Sequence, residues 1–145
     1  MVKKILFVCK HNLFRSQVAR TLFNKYNKNK RYVADGAGVI KWDKKDLGVN
    51  AGFRAEKKAC KEKGIILRGN SKGLSSSLLK KTDIVVIVAD DVHPSIFKND
   101  RSFKGKLIVW RVPDVKDIYR DKGKVAHSTI NFIEKKIKRF VRDLK

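Results

Sequence analysis

The chain has 145 residues and carries 36 lysines and arginines against 14 acidic residues, a formal net charge of +22 at pH 7. The length fits one domain (residues 1–145) with a sheet covered by helices, no stretch is apolar for long enough to span a bilayer, and two cysteines make no disulfide framework. The lysines are scattered through every segment and not interleaved with aromatics, so a solvated basic surface that steers anionic substrates or acidic partners is expected over nucleic-acid binding.

Ile5-Leu6-Phe7-Val8 is an apolar run that reads as a buried strand. Behind the basic start Met1–Lys4 it is too short, and too soon interrupted by Lys10, to be the apolar core of a secretion signal; with only Cys9 and Cys60 in the chain, a reduced, cytoplasmic setting without a membrane is expected. Gln17 to Tyr26 reads as a helix, since Val18, Leu22 and Tyr26 recur every four residues with Ala19 and Phe23 beside them. Between the two lies Cys9-Lys10-His11-Asn12-Leu13-Phe14-Arg15-Ser16, a strand-to-helix turn. The amides at a helix start are unpaired and attract anions. A loop of five residues between Cys9 and Arg15 can curl so that amides and guanidinium face one centre, with the sulfur beneath it. Helix N-termini and nearby cations favour the thiolate, so Cys9 is expected to be ionised at neutral pH. Arg15 can grip two oxygens of a tetrahedral oxyanion at once, and a thiolate under a bound phosphoryl group is placed for in-line attack through a phosphocysteine.

The segment Val8 to Ser16 resembles the phosphate loop of the low-molecular-weight protein tyrosine phosphatases, which the related thioredoxin-coupled arsenate reductases share. The resemblance covers nearly the whole chain. It implies an α/β, three-layer αβα fold with a four-stranded parallel sheet of order 2-1-3-4. It also implies a phosphomonoesterase that needs no metal or other cofactor, acts on a phosphorylated protein or a small aryl phosphate, and takes inorganic phosphate or sulfate as ligand. Under it Cys9 and Arg15 are catalytic, and Lys10, His11, Asn12, Leu13, Phe14, Arg15 and Ser16 bind phosphate. Asn12 then holds the loop in a left-handed turn, and the Ser16 hydroxyl bonds the thiolate. Phe14 stands where the phosphatases often have a second cysteine, so that redox protection is lost. His11 is open to two readings, tuning the thiolate or sitting as an ordinary loop residue.

Tyr32-Val33-Ala34 reads as a short second strand. It enters Asp35-Gly36-Ala37-Gly38, which resembles the small-residue turn that relatives place beside the phosphate loop, with Gly36 where they usually carry serine. Val39 to Gly52 reads as a loop, in which Trp42 is either an aromatic wall of the substrate cleft or a packing tryptophan that anchors the loop. Phe53 to Lys63 reads as a helix with Ala55, Ala59 and Cys60 inward and Gly64 as its stop. Arg68 to Gly73 is a loop, with Gly69 near where the phosphatases often have a histidine. Ser75 or Ser76 can cap a short helix through Lys81. Ile84 to Ala89 is apolar throughout, as a central parallel strand covered on both faces should be. Asp90 and Asp91 end it, and Pro94 opens a short helix. Leu107 to Trp110 is the fourth strand, and Val125 to Leu144 a long helix with an apolar stripe at Ile130, Ile133 and Ile137.

Alternating strands and helices give a parallel sheet, and such sheets bind ligands at the carboxyl ends of their strands. Cys9 ends strand one, Asp90 and Asp91 end strand three, and Asp114 follows strand four. A phosphate monoester needs a proton donor for its leaving oxygen. Asp114, after Val112-Pro113, matches the general-acid aspartate of the phosphatases; the alternative is a turn aspartate after proline, with Asp117 as the fallback acid. The family's acid is usually followed by proline and tyrosine, whereas Val115 and Lys116 follow here. His93 and His127 have no partner spacing that marks a metal site. Arsenate reductases relay oxidation through two later cysteines, and only Cys60 is available, in helix two. Arsenate reduction is therefore the alternative reading, followed by a basic anion- or nucleic-acid-binding module with weak turnover.

Overall fold

The computed structural model describes residues 1–40, 51–68, 71–116 and 119–144. The expectations placed on Trp42, Gly69 and Asp117 lie outside the described residues. Four parallel strands, β1 (Lys3–Cys9), β2 (Tyr32–Gly38), β3 (Ile84–Val88) and β4 (Lys106–Trp110), pair in the order β2-β1-β3-β4. The helices are α1 (Arg15–Tyr26), α2 (Ala51–Glu62), α3 (Ser76–Lys80), α4 (Ser95–Lys98) and α5 (Lys122–Asp143).

The two central strands are apolar from Ile5 to Cys9 and from Ile84 to Val88 because each of their faces meets a separate core. Ile5, Phe7, Val86 and Val88 pack with side chains of α1, α2 and α5; Leu6, Val8, Val85 and Ile87 pack with Leu79 of α3 and Phe97 of α4. The first core is the larger. Phe7 sits 5.8 Å from Phe23, 6.1 Å from Trp110 and 6.3 Å from Phe140 by ring centroids, joining β1, α1, β4 and α5. Ile130, Ile133 and Ile137 of α5 are buried against it, as their spacing requires, each stabilising the fold by about 1.5–3 kcal/mol. Among the described residues no helix is long and apolar enough to cross a membrane.

Several boundaries differ from the sequence reading. Cys9 ends β1, as expected, but α1 begins at Arg15 and not at Gln17, so Arg15 and Ser16 belong to its first turn. α5 begins one turn before Val125, because the Asp121 side chain accepts from the Lys124 amide at 2.9 Å and caps it there. On α2 the buried positions are Gly52, Phe53, Glu56, Ala59 and Cys60, and Ala55 is only half-buried. The largest difference is β2. The stretch Asp35 to Gly38 is strand and not turn, in register with β1 to its end, Cys9 opposite Gly38. Local propensity disfavours glycine and aspartate in a strand, but the ladder to β1 overrides it.

Gly36 and Gly38 serve the close approach of β2 to the loop after Cys9. A Cβ on Gly38 would lie 2.6 Å from the His11 carbonyl carbon and 2.7 Å from the Asn12 nitrogen, both main-chain atoms. Gly38→Ala is therefore expected to cost about 1–3 kcal/mol of stability and to weaken sulfate binding, read by urea denaturation and by ligand titration. An alanine variant with unchanged stability and affinity would show that the loop yields to the methyl group.

Candidate active site

The chain leaves β1 at Cys9, whose side chain is buried beneath the following loop. Val39 and Ile40, just past β2, donate their amides to the carbonyls of Cys9 and Lys10 at 3.1 and 2.8 Å. Asn12 has φ of 57°, in the left-handed region that asparagine tolerates better than most residues. That turn brings the Asn12 amide back to Cys9, where it donates to Sγ at 3.2 Å. The Asn12 side chain donates from Nδ2 to Ser16 Oγ at 2.6 Å and accepts at Oδ1 from the Lys72 amide at 3.1 Å. Ser16 Oγ lies 3.1 Å from Cys9 Sγ. An oxygen already accepting from Asn12 has its own proton to give, and the sulfur is in reach to take it. A Cβ at Gly36 would stand 3.1 Å from Asn12 Nδ2, so this position faces the loop.

Asn12, Phe14, Arg15 and Ser16 are buried, while Lys10, His11 and Leu13 are half-buried. Phe14 occupies the N-cap of α1 with no capping side chain, and the first turn holds no acidic residue. The orphan amides of the helix start therefore have no anionic competitor on their own chain segment. Burial pushes the His11 imidazole below its ordinary range; the Ile40 backbone contact opposes this, Lys10 adds to it, and Asp114 and Asp91 oppose it more weakly.

Arg15 is 2% exposed. Its Nη1 donates to the Val112 carbonyl at 2.8 Å, and its Nη2 lies 3.0 Å from Asp91 Oδ1 and 3.9 Å from Asp114 Oδ2. Asp90 stands 3.8 Å from Nη1. Burial works against the charge, but Cys9, Asp114 and Asp91 outweigh it and hold the guanidinium above its ordinary range. The carboxylates that the sequence placed at the ends of β3 and β4 thus converge on the arginine that opens α1, just past the loop after β1. Val115, beside Asp114, is buried in the larger core, and Lys116 is exposed.

Three contributors were missed by the sequence reading. Gln17 donates from Nε2 to the Asn12 carbonyl at 2.6 Å and accepts at Oε1 from the Arg68 amide at 2.6 Å, clamping the loop to a segment 51 residues away. Ser71 Oγ donates to the His11 carbonyl. Glu56 of α2 is 4% exposed and reaches the Asp114 carboxyl. Only Glu56 left a local signal: an acid at an inward position of a helix otherwise rich in lysine, spaced three from Phe53 and three from Ala59. Cys60 is buried as expected, its thiol pushed up to about 12 by burial and by Glu56.

No curated protein sequence matches this chain. Solved structures share its fold. Wzb of Vibrio vulnificus, in complex with benzylphosphonate, is 20% identical over 99% of this chain and 100% of that one, with a TM-score of 0.72. A low molecular weight protein tyrosine phosphatase from Streptococcus pyogenes is 17% identical over 99% and 94%, TM-score 0.72. An arsenate reductase from Archaeoglobus fulgidus is 23% identical over 96% and 99%, TM-score 0.69. Identities this low establish a common fold. The family model described as low molecular weight phosphotyrosine protein phosphatase matches residues 4–145, and that match over nearly the full length carries more than the fold: the chain belongs to this family.

Proposed function

We propose that the chain hydrolyses phosphomonoesters, those of phosphotyrosine in proteins or of small aryl alcohols, through a phosphocysteine on Cys9 and without a metal. One observation carries the reading: Cys9 Sγ lies under the loop with the Asn12 amide at 3.2 Å and Ser16 Oγ at 3.1 Å, both able to donate to a thiolate. In this mechanism the helix-start amides and Arg15 hold the phosphoryl oxygens. Two of the guanidinium's several N–H donors are taken by Val112 and Asp91, leaving others for the oxyanion. The sulfur attacks phosphorus as the bond to the leaving oxygen breaks, and Asp114 supplies that oxygen's proton. Water then attacks the phosphocysteine, gives a proton back to Asp114 and releases phosphate and thiolate. Charge on the transferring group is stabilised by donors that are already in place, which is the part a metal plays in other phosphatases.

Asp114 lies near Arg15 and is 39% exposed, so it borders the loop and meets solvent. Asp114→Asn is expected to slow hydrolysis of phenyl phosphate by about 10²–10³-fold and of an activated nitrophenyl ester much less, because only the poor leaving group needs the proton. Equal losses for both esters would remove Asp114 from the role. The reading as a whole is tested by an aryl-phosphate assay across pH with a chelator present, run beside Cys9→Ser. Arsenate matches phosphate in shape and charge, but a reductive relay needs accessible thiols, and Cys60 is a buried, un-ionised one on α2.

A further inference from the structure

Glu56 sits on the inward face of α2 among Phe53, Ala59 and Cys60, and it is 4% exposed. Its Oε2 is buried with no hydrogen-bond partner among the described residues. The group that acts on it across the site is another acid: the Asp114 carboxyl lies close enough to Glu56 to share a proton with it. Ionised carboxylates only accept, so two carboxyl groups bond only when one of them carries a proton. The titratable and charged groups that bear on Glu56 are Asp114 from the loop after β4, Arg15 from α1, Cys9 from β1 and Cys60 from its own helix. Between α2 and α5, His127 pairs with Glu62, further along α2, at 3.3 Å. Burial favours the neutral form of Glu56. The charge of Asp114 and the sharing of a proton with it act the same way, and Arg15 opposes them without prevailing, so the carboxyl is held well above its ordinary range.

We propose that Glu56 and Asp114 hold one proton between them, and that Glu56 is its resting place, from which it passes through Asp114 to the leaving-group oxygen. The proposal rests on the reading of Asp114 as the proton donor. Glu56 is then a positioning residue for that proton, acting through Asp114. The balance closes over one turnover. As the sulfur–phosphorus bond forms and the phosphorus–oxygen bond breaks, the proton leaves the pair on the departing alcohol and both carboxyls are ionised. As water attacks and the sulfur–phosphorus bond breaks, the water's proton enters through Asp114 and returns to Glu56. A carboxyl open to solvent on its own empties as pH rises through the usual acid range. A pair whose second member is buried stays loaded to higher pH, and so must the rate for poor leaving groups.

Glu56→Gln keeps the shape and can still donate a hydrogen bond to Asp114, but has no proton to give. It is expected to move the alkaline limb of the kcat/KM profile for phenyl phosphate down by about one pH unit or more, hence roughly tenfold slower turnover on that limb, with little change for the nitrophenyl ester. A glutamine variant with the wild-type profile, and loss only in Glu56→Ala, would reduce Glu56 to a structural prop and overturn the proposal. NMR titration of the glutamate side-chain carboxyl carbons in the wild-type protein gives a readout that does not depend on the variants folding. A Glu56 carboxyl still neutral at neutral pH supports the store, and one already ionised there overturns it. Failure of the phosphatase reading looks different: no aryl phosphate is hydrolysed by the wild type at any pH, whatever the titration shows.

Discussion

Cys9→Ser is expected to end turnover and leave oxyanion binding in place. The substitution changes one atom under the loop. Asn12, Ser16 and Gln17 keep their bonds to one another and to the loop backbone, since among the described residues the hydrogen bonds to the sulfur come from the Asn12 amide and Ser16 Oγ. A serine hydroxyl in that place is far harder to ionise than a thiol. The rate for an activated aryl phosphate should drop on the order of 10⁴-fold or more, by analogy with the loss of other enzymatic nucleophiles. Phosphate or sulfate affinity, measured by calorimetric titration, should stay within a fewfold of wild type. Sustained hydrolysis by the serine variant would end the phosphocysteine mechanism, and loss of anion affinity would mean that the sulfur also holds the loop in shape.

Arg15→Lys carries the second large effect, and it falls on binding and rate together. The guanidinium reaches Val112, Asp91, Asp90 and Asp114 from one planar group that is 2% exposed. A lysine keeps the charge but concentrates its donors at one point, so it cannot satisfy the Val112 carbonyl, face Asp91 and hold two phosphoryl oxygens at once. Removing one donor from a transition-state oxyanion costs about 2.7–4 kcal/mol, so kcat/KM should fall about 10²–10³-fold, with phosphate affinity reduced as well. Separate kcat and KM values and a urea denaturation curve check this. A variant impaired in stability alone, with kcat/KM intact, would make Arg15 a tether for the β3 and β4 loops and no more.

How far the sequence could be read follows from where each interaction partner lies along the chain. The Cys9 to Ser16 loop was legible because its turn residue Asn12, its hydroxyl Ser16 and its cation Arg15 are contiguous and flanked by clear strand and helix patterns. The sheet was legible from the unbroken apolar runs of β1 and β3, and its order came with the family resemblance. Gln17 and Ser71 were not legible, since each is a common polar residue whose meaning depends on a partner far away in sequence. Asp35 to Gly38 was misread as a turn because its composition is that of a turn, and only pairing with β1 makes it a strand. Glu56 was passed over because α2 was matched to its alanines, although a lone acid on an inward face is a stronger signal than an alanine there.

The backbone bonds around the loop have a consequence for how an anion is received. Cys9, Lys10, His11 and Asn12 are each fastened by a group from another segment, whether Val39 and Ile40 after β2, Ser71 and Lys72 ahead of α3, or Gln17 of α1. Conformational freedom in this cup is surrendered when the chain folds and not when a ligand docks. For the backbone from Cys9 to Asn12, association then asks chiefly for the shedding of water, since its donors are set before an anion arrives.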